Sequence, residues 1–201
     1  MLPEFFGSHQ GQQGLRHILD KIAPERHLNR QRDALMISES SENHLRLADE
    51  LSRLGRLQEA IGHYQKALTG MFAHDPTIMA KLAKAQFDNH DPVRCEKTLD
   101  DLIQANPDFR SQECHLLYTR AQKAIGHLDK AEEEYRVLTE YYIGPEARFR
   151  YYEMLREKGD MNSARRQSET IALIARQSKP HYCKLHKVWL QQTHQELKKV
   201  S

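Results

Sequence analysis

The sequence predicts an all-α chain of repeated helix pairs, and three observations carry that prediction. Helix-favouring Leu, Ala, Glu, Lys, Arg and Gln dominate, while only nine Gly and seven Pro punctuate 201 residues. A six-residue phrase, Gly55-Arg56-Leu57-Gln58-Glu59-Ala60, returns as Gly126-His127-Leu128-Asp129-Lys130-Ala131 and as Gly159-Asp160-Met161-Asn162-Ser163-Ala164. Asp75-Pro76 and Asp91-Pro92 each place a capping carboxylate before a proline, the signature of a helix start.

Between the first two copies lies a degenerate one, His90-Asp91-Pro92-Val93-Arg94-Cys95, with Cys95 as its small residue. The small residues 60, 95, 131 and 164 are then spaced by 35, 36 and 33, close to the tetratricopeptide period of about 34. The expected fold is a tetratricopeptide-like right-handed helical solenoid of about four helix pairs with a C-terminal capping helix.

The phrase describes a tight inter-helix turn. Glycine accepts the left-handed conformation that closes the first helix, the apolar residue two places on is expected to pack under the turn, and the small residue lets two helices approach. Tyr64, Leu99 and Tyr135 follow the small residue by four positions, and Ala67, Leu102 and Leu138 by seven, the spacing of one apolar helix face. In the fourth unit Ser168 breaks this pattern and Ile171 keeps it. The expected pairs are 42–54 with 57–69, 76–89 with 92–105, 112–125 with 128–142, and 145–158 with 161–178.

A repeat domain thus spans 41–201. Its last segment, 180–199, is read as one amphipathic helix covering the final repeat, with Trp189 as part of that cover. Residues 1–40 stand outside the repeat; Leu15, Ile18, Leu19 and Ile22 suggest one short helix in an otherwise partly disordered segment.

Composition narrows the function. Thirty Lys plus Arg against 28 Asp plus Glu leave a formal charge of +2, too weak to steer nucleic acid or anionic lipid. Cys95, Cys114 and Cys183 form no C-x-x-C pair and no disulfide framework, which fits a reducing compartment. The opening MLPEFFGSHQGQQ lacks the cationic start, apolar core and cleavage site of a signal peptide, so export by that route is not expected, and no run of about 18 apolar residues could span a bilayer. The expectation is a soluble, cytoplasmic protein.

From about Glu42 to Leu197 the chain resembles a family of bacterial tetratricopeptide-repeat proteins of unassigned function. The likeness runs through GRLQEAIGHYQKALTGMFAHDP, ANPDFRSQECHLLYTRAQ, YYIGPEARFRYYEMLREKGD and the terminal HYCKLHKVWL. Members commonly carry an N-terminal membrane helix, from which residues 1–40 depart, so membrane association is expected only through a partner or a missing anchor. The resemblance implies protein interaction and carries over no catalytic residue.

Other chemistry finds little support. His181-x-Cys183-x-x-His186 supplies too few ligands for a closed zinc site, so no metal or cofactor is expected. There is no G-x-S-x-G, H-E-x-x-H or Walker loop, and Glu132-Glu133-Glu134 reads as a solvated helix face, so no enzyme is expected. Tyr141-Tyr142 and Tyr151-Tyr152 read as packing between the third and fourth units. Arg148, Arg150, Arg156, Arg165 and Arg166 lie near Tyr151 and Tyr152, but Glu146, Glu153, Glu157 and Asp160 interrupt any positive track.

The expected function is a scaffold or adaptor that holds a protein or peptide segment against the first helices of the pairs. Aligning those helices on their turns places Leu45, Ala80, Leu116 and Phe149 in one row, Asp49, Lys84, Arg120 and Glu153 in a second, and Ser52, Phe87, Lys123 and Arg156 in a third. The candidate partner-binding residues are therefore Leu45, Ala80, Lys84, Phe87, Leu116, Arg120, Lys123, Phe149 and Arg156. Domains of the carboxylate-clamp kind carry Lys and Asn where this chain has Leu45 and Asp49, which argues against a chaperone-tail receptor. The alternative is a self-associating structural or enzyme-docking subunit that uses an outer face.

Overall fold

A computed structural model describes residues 25–200, and every described element is helical. Contacts divide the chain into two compact units that meet between Pro107 and Asp108. The first holds a helix over residues 25–37 (α1), then α2 (Ser41–Arg53), α3 (Leu57–Ala67), a single 3₁₀ turn at Gly70–Phe72, α4 (Pro76–Asp88) and α5 (Pro92–Ala105). The second holds α6 (Gln112–Ala124), α7 (Leu128–Tyr141), α8 (Glu146–Lys158), α9 (Met161–Gln177), α10 (Pro180–Leu185) and α11 (Lys187–Val200).

The helices start where the chain supplies acceptors for their otherwise unpaired N–H groups. Asp75 accepts from Thr77 and Ile78 N–H at 2.9 and 3.0 Å, Asp91 from Arg94 N–H at 3.0 Å, and Asp160 from Ser163 N–H at 3.0 Å. Ser40 and Ser111 serve α2 and α6 in the same way.

Four pairs close on the same turn. Gly55, Gly126 and Gly159 have φ of 75°, 92° and 88°, and His90 adopts φ 61° without being glycine. In each turn the next residue's N–H reaches back five positions: Arg56 to Leu51 O, Asp91 to Gln86 O, His127 to Gln122 O and Asp160 to Leu155 O, all at 2.9 Å. This Schellman closure satisfies the last carbonyls of the first helix, and the degenerate copy at His90 is structurally complete.

The small residues do as the spacing predicts: Ala60, Cys95 and Ala131 are 0% exposed and Ala164 is 1%. Tyr64, Leu99, Tyr135 and Ser168 are buried beside them, followed by Ala67, Leu102, Leu138 and Ile171. Ser168 tolerates burial because its hydroxyl donates to Arg165 O at 2.8 Å. The apolar residues two places after the turn do not pack beneath it. Leu57 is half-buried, while Leu128 and Met161 are exposed, since the first position of the second helix faces away from its partner.

Two terminal expectations need correction. Residues 15–22 lie outside the described residues, but 25–37, expected to lie in a partly disordered stretch, form α1. Leu28 is buried and Leu35 half-buried in one apolar cluster with Leu47, Leu51, Ile61 and Tyr64, and Asn43 Nδ2 donates to Ala34 O and Ser38 O at 3.2 and 2.9 Å, fixing the helix end. The cue was faint because Met36 and Ile37, the most apolar part of the segment, are exposed.

At the other end, the single capping helix expected over 180–199 is broken at His186 into α10 and α11. The His186 ring packs at a tilt of 58° against Tyr182, centroids 4.5 Å apart, and presses on Gly144, where an added Cβ would lie 2.7 Å from Cε1. α11 rests on α9 and α8, and half-buried Trp189 meets Phe149 at 5.7 Å with the Arg150 guanidinium 4.8 Å over its indole.

Candidate protein-binding face

In unit 1 the first helices α2 and α4 present Leu45, Ala80 and Phe87, all half-buried, and Lys84, exposed and paired with Asp88 at 2.5 Å. Leu45 opens into a cavity of about 610 Å³, lined also by Ser40, Ser41, Met71, Phe72 and Ile78. The 3₁₀ turn after α3 brings Phe72 and the exposed Met71 to this place, and a Ser41–Thr69 hydroxyl contact of 3.0 Å ties that turn to the start of α2. The cavity's lining is largely apolar, with the hydroxyls of Ser40, Ser41 and Thr69 and the Glu42 carboxylate as its polar groups.

Asp49 is differently employed. It accepts from Tyr64 Oη at 2.8 Å and from Lys81 Nζ at 2.7 Å, tying α2 to both α3 and α4. Burial first and the bond to Asp49 second push the Tyr64 phenol well above its ordinary pKa.

In unit 2 the expected apolar anchors are core residues. Leu116 and Phe149 are each 4% exposed and belong to one cluster with Tyr135, Tyr152 and Leu155. Register placed both on the first-helix face, but neighbouring helices, with Trp189 from α11, cover them. The cations are engaged: Lys123 pairs with Glu157 at 2.8 Å, and Arg156 pairs with Glu196 of α11. Arg120 is half-buried on α6. Asp49–Lys81 in unit 1 and Lys123–Glu157 in unit 2 each pair two first helices of their own unit, and Arg156–Glu196 ties α8 to α11, which neutralises charges that sequence alone left open.

The arginines near Tyr151 and Tyr152 make no positive track. Arg148 donates to Gln167 and to Thr139 O, Arg150 lies between Glu146 and Glu153, Arg165 pairs with Glu169, and both tyrosines are buried. Of the His181–His186 cluster, Cys183 Sγ contacts Ala175 O at 3.5 Å and His186 is packed as described. Among the described residues, no helix is long and apolar enough to cross a membrane.

Polar contacts between the helices of a pair escaped the sequence reading, His115 among them. His115 Nε2 meets Glu134 at 2.6 Å and its Nδ1 meets Tyr141 Oη, and Lys158 of α8 donates to Glu132 at 2.5 Å, so two members of the Glu132–Glu134 run are cross-helix partners rather than solvated charges. Tyr141 is exposed and Tyr142 half-buried, so only the second of that pair packs as expected.

Antiparallel helix pairs with a small-residue contact and a left-handed turn define a helical-hairpin repeat protein. Residues 51–112 match the tetratricopeptide repeat family model. MamA (residues 41 to the end) from Desulfovibrio magneticus RS-1 superposes with a TM-score of 0.70 at 15% identity, covering 84% of this chain and 94% of MamA. A tetratricopeptide repeat protein from Parabacteroides merdae gives 0.65 at 16% identity over 92% of this chain and 75% of its own. The first repeat domain of Spaghetti (RPAP3), bound to the HSP90 peptide SRMEEVD, gives 0.51 at 17% identity over 61% and 95%. No curated protein sequence matches the chain. These likenesses show the fold: the chain is an all-α repeat protein of the tetratricopeptide type.

Proposed function

We propose that this chain holds a segment of another protein, and that the first-helix face of unit 1 is where it does so. Tetratricopeptide repeats serve in general as non-catalytic interaction modules, and the RPAP3 domain carries a bound peptide, which supports the class of partner. The observation that carries the reading is the cavity of about 610 Å³ at Leu45, Met71, Phe72 and Ile78. Met71 is unbranched, polarisable and 91% exposed, the type of side chain that adapts to a bound apolar group.

The partner segment, extended or helical, places an apolar side chain in this cavity and runs along α2 and α4 past Ala80 and Phe87, with a carboxylate near Lys84. Arg120, Lys123 and Arg156 are the corresponding cations of unit 2, where Leu116 and Phe149 support the reading less because they are buried. Leu45 and the engaged Asp49 argue against a carboxylate clamp. A cytoplasmic location belongs to the same proposal, supported by three free cysteines.

The test is capture of the partner from the native cell, followed by rebinding to Leu45→Ala with Met71→Ala. With the melting transition unchanged, loss of an apolar anchor is expected to weaken binding by about 2 kcal/mol or more. Full-strength binding to the folded double variant would remove the cavity from consideration.

A second reading, self-association through an outer face, has one specific support. Val93 and Ile103 of α5 and Leu173 of α9 are 63%, 56% and 51% exposed on second helices. Light scattering over a concentration series decides it: a dimer that persists at nanomolar concentration favours this reading, and a monomer throughout rejects it.

A further inference from the structure

His44 and His63 face each other across the α2–α3 pair, Nδ1 to Nδ1 at 2.9 Å, with their rings 5.2 Å apart. His44 is 4% exposed and His63 half-buried. At that separation one Nδ1 donates and the other accepts, so the contact needs one proton and has no room for two. His115 and Glu134 meet across α6–α7 from the matching places, first-helix histidine to second-helix partner nineteen residues on.

We propose that the His44–His63 contact is a proton-operated latch that keeps the first helix pair and α1 closed at neutral pH and loosens them on mild acidification, while the second unit stays closed. When both imidazoles of unit 1 are protonated, two N–H groups and two positive charges meet in a largely buried place, and the hydrogen bond is lost. The surroundings deepen the conflict: Arg32 of α1 and Lys66 of α3 add positive charge near His63, with Glu59 of α3 acting in the opposite direction. Glu39, in the α1–α2 connection, lies 3.4 Å from His44 Nε2 but is 75% exposed, so water weakens its compensation. On the same flank His27 of α1 lies near Glu50 of α2.

In unit 2 the partner is a carboxylate. Glu134 accepts from Nε2–H, and Tyr141 Oη can donate to or accept from Nδ1, so His115 keeps both contacts in either protonation state.

The sign follows from linkage. Burial first, then the neighbouring His44 and Lys66, hold His63 below its ordinary value of 6.5. Its contribution to stability is therefore complete above that value and is lost as pH falls from there toward the lowered folded value. The predicted consequence is local. Leu28 and Leu35 of α1 cover Leu47, Leu51 and Ile61, so opening would uncover that apolar flank first.

The experiment is hydrogen exchange on the full chain at pH 7.5 and 5.5, corrected for intrinsic exchange, in the wild type and in His63→Gln, whose amide can bond His44 without titrating. In the wild type, segments 25–37 and 41–67 are expected to lose protection at the lower pH while 112–141 retain it; in His63→Gln the acid-dependent loss should disappear. Unchanged protection of 25–37 and 41–67, equal loss in both units, or an acid response in His63→Gln equal to the wild type would overturn the proposal. If His63→Gln does not fold, ¹⁵N titration of the wild-type histidines decides: His63 must titrate below 6.5, and titration at or above that value refutes the latch.

Discussion

Asp49 holds Tyr64 with one carboxylate oxygen and Lys81 with the other, at 2.8 and 2.7 Å, so a single side chain joins three helices of unit 1. The two bonds differ in worth. Tyr64 is buried and its hydroxyl also has Ser52 within hydrogen-bonding reach, whereas the side chains of Lys81 and Asp49 are 38% and 42% exposed and water competes for their pairing. Tyr64→Phe should cost about 1 kcal/mol, while Lys81→Ala should stay within about 0.5 kcal/mol. Denaturant melts of the two variants check the ranking, and an equal loss would mean that Lys81 positions α4 in some further way.

Gly144 carries two constraints. Its φ is 112°, which side chains rarely adopt, and the His186 ring occupies the place a Cβ would take. Gly144→Ala is expected to destabilise the chain by about 1–3 kcal/mol. Adding His186→Ala should recover only part of that loss, because the ring is removed and the backbone strain stays. Thermal melts of the single and double variants separate the two causes; complete recovery would make the clash the whole effect.

Trp189 attaches α11 to α8 through Phe149 and the Arg150 guanidinium, beside Leu190 on the same cluster. Truncation to Ala removes that contact from a half-buried site and should cost about 2 kcal/mol, with proteolytic cleavage appearing first between α9 and the end of α11. Arg156→Ala breaks a partly exposed ion pair to Glu196 and a guanidinium contact over the Tyr152 ring at 5.7 Å, and should cost about 1 kcal/mol. A protease pattern unchanged in Trp189→Ala would place the attachment elsewhere on α11.

The turns were legible in the sequence because their demands are local. A left-handed residue, a capping carboxylate and a small contact residue each restrict the amino acid at one position, and even His90 was recoverable from spacing alone. Helix ends fell within two residues of expectation for the same reason. The candidate face was less legible. Helical register placed Leu116 and Phe149 correctly on the first helices, but not whether Trp189 and the adjoining helices would cover them. Phe72 and Met71 were missed because their role depends on a 3₁₀ turn that no period announces. The polar contacts His44–His63, His115–Glu134 and Arg148–Gln167 left a trace that could have been found, since each joins residues nineteen apart at equivalent places in its repeat.

That common offset makes the contact an exchangeable cassette. Three of the helix pairs place two polar groups there, as an imidazole pair, an imidazole with a carboxylate, and a guanidinium with an amide, while α4 and α5 have Met79 and Thr98 at the same places. On the proposed latch, two substitutions within one repeat would give that repeat, or deprive it of, a response to acidity while leaving its turn and its small-residue contact in place.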